Sequence, residues 1–162
     1  MKLIGNIKPP AFSKFKDCID DRWSINEEKE MSLGEVYNFN MSIDQTQKQF
    51  KQFFTLVDEA GYRLVDNTPY ISLSLTACRG SVGAHNDAGY GLVALWLVRL
   101  AGLTKGRYAP WGDVPELYAG RKWKTIRMGD IVVFNANKEH AWLVNGTCHM
   151  LMQTVAKKRI QR

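Results

Sequence analysis

A chain of 162 residues with 45% hydrophobic and 11% aromatic content has the composition of a folded globular protein, which excludes an intrinsically disordered one. The longest apolar run, 92–103, carries Arg99 and is far too short to cross a bilayer, so no membrane partner is expected. A net charge of +6 favours anionic partners, nucleic acid among them, although four of the positive charges crowd into the last six residues, "KKRIQR".

The first forty residues show no clear periodicity. They mix Pro9 and Pro10, the charged patch "NEEKE" and scattered aromatics such as Trp23, Tyr37 and Phe39, and they lack the apolar core of a signal peptide. Cys18, Cys78 and Cys148 are odd in number and form no CxxC pair. Reduced thiols in a cytoplasmic protein are the expectation.

A helix is predicted next. Asp44 and Gln47 suggest a capping box, Phe50, Phe53, Phe54, Val57 and Ala60 recur on one face, and Gly61 supplies the C-terminal cap. Beyond Gly61 the pattern changes to strands. "YISLSLTAC" (70–78) alternates with period two, while "GLVALWLVRL" (91–100) is apolar on both faces and reads as a sandwiched strand. "WKTIRMGDIVVFNA" (123–136) holds an extended segment, a Gly-Asp turn and a β-rich run. "HAWLVNG" and "CHMLMQTVA" read as a hairpin turning at Asn145-Gly146.

The predicted class is mainly β (α+β), a jelly-roll core with one or more packing helices from the N-terminal third. One domain is expected over 1–162: an N-terminal segment and helix (1–61), the core (62–156) and a basic tail (157–162).

One group of residues has metal-ligand character. In "RGSVGAHNDAGYG", His85 and Asp87 stand two apart, so an extended backbone directs both to one side. The chain holds three histidines, and His140 lies 55 residues beyond His85. Two imidazoles and one carboxylate with open positions are the donor set of non-haem Fe(II) oxygenases. A loop in which His85 and Asp87 hydrogen-bond while His140 caps a strand accounts for the same three residues.

The wording around them resembles the Fe(II)/2-oxoglutarate-dependent dioxygenases, in particular their short prolyl-hydroxylase-like and alkylation-repair-like members. The resemblance covers 70–154: "YISLSLTACRGSVGAHND", the apolar strand "GLVALWLVRL", the loop "KGRYAPWGDVPELYAG", and "MGDIVVFNANKEHAWLVNG" with its Gly-Asp turn and distal histidine. It implies a double-stranded β-helix and an enzyme that uses Fe(II), 2-oxoglutarate and O₂ to hydroxylate or demethylate a C–H bond. His85, Asp87 and His140 would be both the metal ligands and the catalytic centre. The basic charge and the loop aromatics Trp111, Tyr118 and Trp123 tilt the expected substrate towards a nucleobase. Asn86 and Tyr90 flank the ligands and are candidate substrate contacts.

The chain departs from the family at one place. The cation that grips the far carboxylate of 2-oxoglutarate often stands nine or ten residues after the distal histidine; here those positions are His149 and Met150. Arg99, fourteen residues past His85, is the preferred substitute. His149 is an alternative, as a hydrogen-bond donor protonated beside the carboxylate or as a core histidine, and Arg107, Arg121, Lys122 and Lys124 are others. Tyr70 stands where the family often keeps a polar group that reaches the co-substrate. Without an anchor, the alternative is a non-catalytic or 2-oxoglutarate-independent metal-binding or inhibitory jelly roll.

Overall fold

Two kinds of surface compete for the apolar residues of this chain, a helix stripe and the two faces of long strands, and together they build two hydrophobic layers. The computed structural model describes residues 1–11, 13–16, 34–44, 48–65, 70–87, 89–101, 116–119, 122–144 and 146–159. Its elements are β1 (Lys2–Asn6), α1 (Ser13–Lys16), β2 (Val36–Asp44), α2 (Lys48–Glu59), β3 (Tyr62–Leu64), β4 (Tyr70–Arg79), β5 (Val82–His85), β6 (Leu92–Ala101), β7 (Glu116–Ala119), β8 (Lys122–Thr125), β9 (Asp130–Asn135), β10 (His140–Leu143) and β11 (Thr147–Lys157). No helix among them is long and apolar enough to cross a membrane.

All the strand pairs are antiparallel and fall into two sheets. The larger runs β1-β9-β6-β11-β4-β2, with β3 added on β11; the smaller runs β5-β10-β7-β8. Consecutive strands repeatedly change sheet, which makes this a jelly roll of mainly β class.

The outer layer lies between α2 and the large sheet. The stripe predicted for α2 buries Phe50, Phe53 and Val57 against Ala94, Trp96, Leu151 and Val155, and the Phe53 ring stacks on Trp96 at 5.4 Å. Full burial of each such aromatic stabilises the fold by about 1.5–3 kcal/mol. Gly61 ends the helix as expected, its N–H donating to the Asp58 carbonyl at 3.0 Å. Of the predicted capping box, Gln47 lies outside the described residues, and Asp44 closes β2.

The inner layer lies between the sheets. Along β6 the alternation is strict at first: Val93, Leu95 and Leu97 enter this layer, while Ala94 and Trp96 enter the outer one. The apolar-on-both-faces reading of β6 therefore holds. A bulge then intervenes. His149 pairs with Arg99, but Met150 pairs with Leu97, leaving Val98 as one extra residue on β6. Beyond it Arg99 and Leu100 lie on the faces opposite to those that unbroken alternation would give them.

Two expectations are corrected. The first forty residues are not irregular throughout: β1 pairs with β9, and β2 pairs with β4 over nine residues. Edge strands partnered on one side carry a weaker hydrophobic period than buried ones. The second concerns 140–156, which is not a hairpin. β10 pairs with β5 and β7 in the small sheet, whereas β11 pairs with β4 and β6 in the large one. A turn dipeptide reports a change of direction and carries no information on which strand is met afterwards. The chain crosses between sheets at Gly146, whose carbonyl accepts from Gly80 N–H at 2.8 Å; Gly80 lies where β4 crosses to β5.

The Gly-Asp turn is built on a positive φ. Gly129 has φ +86°, and a Cβ there would stand 2.7 Å from the Ile7 carbonyl oxygen. Asp130 is buried and accepts from Asn6 Nδ2 at 2.9 Å and from Arg127 N–H at 2.8 Å, tying the chain start to β9. Gly129→Ala meets both the φ penalty and the carbonyl, so it should destabilise the fold by about 1–3 kcal/mol, read as a lower denaturation midpoint.

Candidate metal centre

Strand register brings the three predicted ligands together. His85 ends β5 and His140 begins β10, and the two are direct cross-strand partners, with ring centroids 4.3 Å apart. Asp87 lies just past β5, where its N–H donates to the Ala136 carbonyl at 2.8 Å. That bond holds the His-x-Asp segment against the turn leading into β10. One ligand atom from each of His85, Asp87 and His140 falls within a 4.8 Å cluster.

The hydrogen bonds fix which atoms meet. His85 Nδ1 lies 2.8 Å from the Gly83 carbonyl, and His140 Nδ1 lies 2.9 Å from the Lys138 carbonyl. A carbonyl can only accept, so each Nδ1 carries the hydrogen. In the neutral ring, Nε2 then presents its lone pair inwards. His140 Nε2 is 3.2 Å and His85 Nε2 is 3.8 Å from Asp87 Oδ2. Two neutral imidazole lone pairs facing a carboxylate repel unless a positive charge stands between them, and a proton or a metal ion meets that need. The donor set and its orientation fit a divalent metal ion.

Exposure makes the cluster one-sided. His140 is buried at 3%, with Phe134 5.2 Å from its ring, whereas the His85 and Asp87 side chains are 38% and 44% exposed. A ligand can therefore approach from the Asp87 side while the His140 side stays fixed.

Asn137 belongs to the site, although the sequence reading missed it. Its Oδ1 accepts from Gly89 N–H at 3.0 Å and from Gly91 N–H at 3.2 Å, clamping the loop that follows Asp87. The available signal was an asparagine in the "NANKEH" turn, a residue type that bonds nearby backbone.

A cavity of about 410 Å³ opens beneath the cluster between the sheets. Thr76, Val93, Phe134, Met150 and Met152 line it, and Tyr90, 60% exposed, stands among its lining residues. Cys78 also lines it, with its sulfur 2.9 Å from that of Cys148. The hydrogen bond shared with Cys78, together with burial, pushes the Cys148 thiol well above its usual range, so it is unreactive at neutral pH.

The expected anchors are not brought to this cavity. In an unbroken alternation Arg99 would share the inward face of Val93, Leu95 and Leu97; the bulge turns it to the other side, opposite His149. His149 alternates with Met150 on β11 and shares the outer face with Leu151 and Val155, so the cavity receives Met150 instead. Nor is His149 protonated. Burial, first, and the nearby Arg99 charge lower its pKa to about 3. Asn86, Lys122 and Lys124 are exposed and outside the cavity lining. Tyr118 and Trp123 lie 5.3 Å apart, and their register with Ala141 sets them on the opposite face of the small sheet from His140. The Tyr70 side chain, Arg107, Trp111 and Arg121 lie outside the described residues.

No protein-family model matches the chain, and no curated protein matches it. Among solved structures, a prolyl-4-hydroxylase from Pseudomonas putida is similar over 83% of this chain and 82% of its own, at 12% identity and a TM-score of 0.46. An oxidoreductase of the 2OG-Fe(II) oxygenase family from Burkholderia pseudomallei covers 82% of this chain and 74% of its own, at 12% identity and a TM-score of 0.45. A cupin superfamily protein from Desulfitobacterium hafniense covers 87% and 95%, at 12% identity and a TM-score of 0.41. These similarities are too loose to assign a function.

His149 also sets an acid limit on stability. The folded state keeps its ring neutral down to about pH 3, whereas the unfolded chain takes up the proton near pH 6.5. Its contribution is complete above pH 6.5 and falls by about 1.4 kcal/mol per pH unit between there and pH 3. Denaturant titrations from pH 7 to pH 4 should show this slope, and His149→Leu should flatten it.

Proposed function

We propose that this protein is a mononuclear Fe(II) oxygenase that uses O₂ and a 2-oxo acid to hydroxylate or demethylate a C–H bond. The carrying observation is the convergence of His85 Nε2, His140 Nε2 and an Asp87 carboxylate oxygen, with both imidazoles oriented by backbone carbonyls and one side open to solvent. His85, Asp87 and His140 would hold the iron. When bound, the iron supplies a redox-active centre with adjacent open positions for an oxo acid and O₂. The protein's own part is to fix the two ring tautomers, to hold Asp87 through the Ala136 carbonyl, and to screen the His140 side from water with Phe134. In the family that the sequence resembles the oxo acid is 2-oxoglutarate, and the charge of +6 supports an anionic substrate such as a nucleobase in nucleic acid. The same donors also accept Mn²⁺, Co²⁺, Ni²⁺ or Zn²⁺, so metal identity is part of the test.

A second reading, a metal-binding jelly roll that uses no 2-oxoglutarate, is favoured by one observation. Among the described residues, no lysine or arginine lines the cavity.

Anaerobic titration with Fe(II), followed by calorimetry, should show one site per chain. His85→Ala and Asp87→Ala should each abolish that binding while leaving the β-sheet circular dichroism and the melting transition in place. An Asp87→Ala protein that still binds iron stoichiometrically would sink the proposal. Asn137→Ala releases the loop clamp and should weaken Fe(II) binding by about tenfold or more in the same titration.

A further inference from the structure

We infer that the acid accepted at this centre is a 2-oxo acid with a neutral, aliphatic far end, and that Met150 sets this choice against dicarboxylates. The inference rests on the Fe(II) and 2-oxo acid reading above. Met150 stands ten residues after His140, and its side chain is 3% exposed and lines the cavity beneath the cluster. In register it lies between Leu97 of β6 and Thr76 of β4. Met152 continues the same face, and Val93 and Phe134 join it in the lining.

The polar groups on this wall are neutral. Thr76 Oγ1 donates to Asn38 Oδ1 at 2.7 Å, and both residues line the cavity. Among the described residues, no lysine or arginine joins them, and Arg99 is paired with His149 across the sheet.

A 2-oxo acid held by its keto acid end directs its other end away from the metal. In 2-oxoglutarate that end is a second carboxylate, and here it would lie against thioether, hydrocarbon and neutral polar groups such as Thr76, with no lysine or arginine among the described lining residues. Burying an ionised carboxylate without a cation is far more costly than burying a methyl group. A branched aliphatic end instead gains apolar contact, and methionine side chains adapt to its shape. About 410 Å³ holds a six-carbon oxo acid and leaves space for part of a substrate.

The test titrates the Fe(II)-loaded protein anaerobically with 4-methyl-2-oxopentanoate and, in parallel, with 2-oxoglutarate, following the visible absorption of the chelate. The branched acid is expected to half-saturate at a concentration at least about tenfold lower. Met150→Arg places a cation on the wall and should invert the order; a melting curve establishes that the variant is folded, and the wild-type comparison stands without it. Equal or tighter binding of 2-oxoglutarate by the wild type overturns the inference and leaves the iron reading intact. A folded Met150→Arg protein with unchanged preference overturns the role of Met150. Iron that binds with neither acid overturns the inference together with the oxo acid part of the proposed function. A protein that binds no Fe(II) overturns the iron reading and the inference with it.

Discussion

The register of β10 against β5 is the constraint on which the site depends. It sets His140 opposite His85 and so brings together two rings that lie 55 residues apart in the chain. A slip of one residue would turn one of them to the far face of the sheet. The bond from Asp87 N–H to the Ala136 carbonyl joins the two segments and resists such a slip, while the Nδ1 bonds to Gly83 and Lys138 fix the orientation of each ring. The sheet crossings on either side, joined by the bond between Gly80 and Gly146, hold β5 and β10 at one end of the sandwich. What results is a cluster of three donors whose mutual repulsion calls for a cation.

The two hydrophobic layers divide the work of the fold. The outer layer, Phe50, Phe53 and Trp96 among its members, seats α2 on the large sheet and contributes nothing to the cavity. The inner layer is incomplete near the cluster, and that incompleteness is the cavity. The bulge at Val98 decides which layer receives charge. By turning Arg99 outwards it places a cation beside buried His149 and leaves the cavity with no lysine or arginine among its described lining residues. Unbroken alternation along β6 would instead turn Arg99 towards the inner layer.

Much of this was legible in the sequence. Period-two alternation in 70–78, the apolar run of β6, the helix stripe of α2 and the Gly-Asp turn each reflect a burial requirement imposed on neighbouring residues. Side-chain type made His85, Asp87 and His140 candidates, and the resemblance of the wording around them singled them out as ligands. The N-terminal strands were not legible, since an edge strand is only partly buried and its hydrophobic signal is weak. The supposed hairpin at 145–146 failed for a different reason, because both edges of β10 were already paired with β5 and β7.

By itself, then, the sequence determined that the chain would form a mainly β jelly roll with one or more packing helices and would carry two histidines and an aspartate able to bind a metal. These follow from local burial periods and donor chemistry, which neighbouring residues express wherever the chain runs. Only the tertiary structure decided that His140 meets His85, that Asn137 clamps the intervening loop, and that Met150 faces the cavity while His149 and Arg99 do not. Those outcomes turn on register and on a single bulge. Both depend on pairing between strands far apart in the chain, so no stretch of residues encodes them alone.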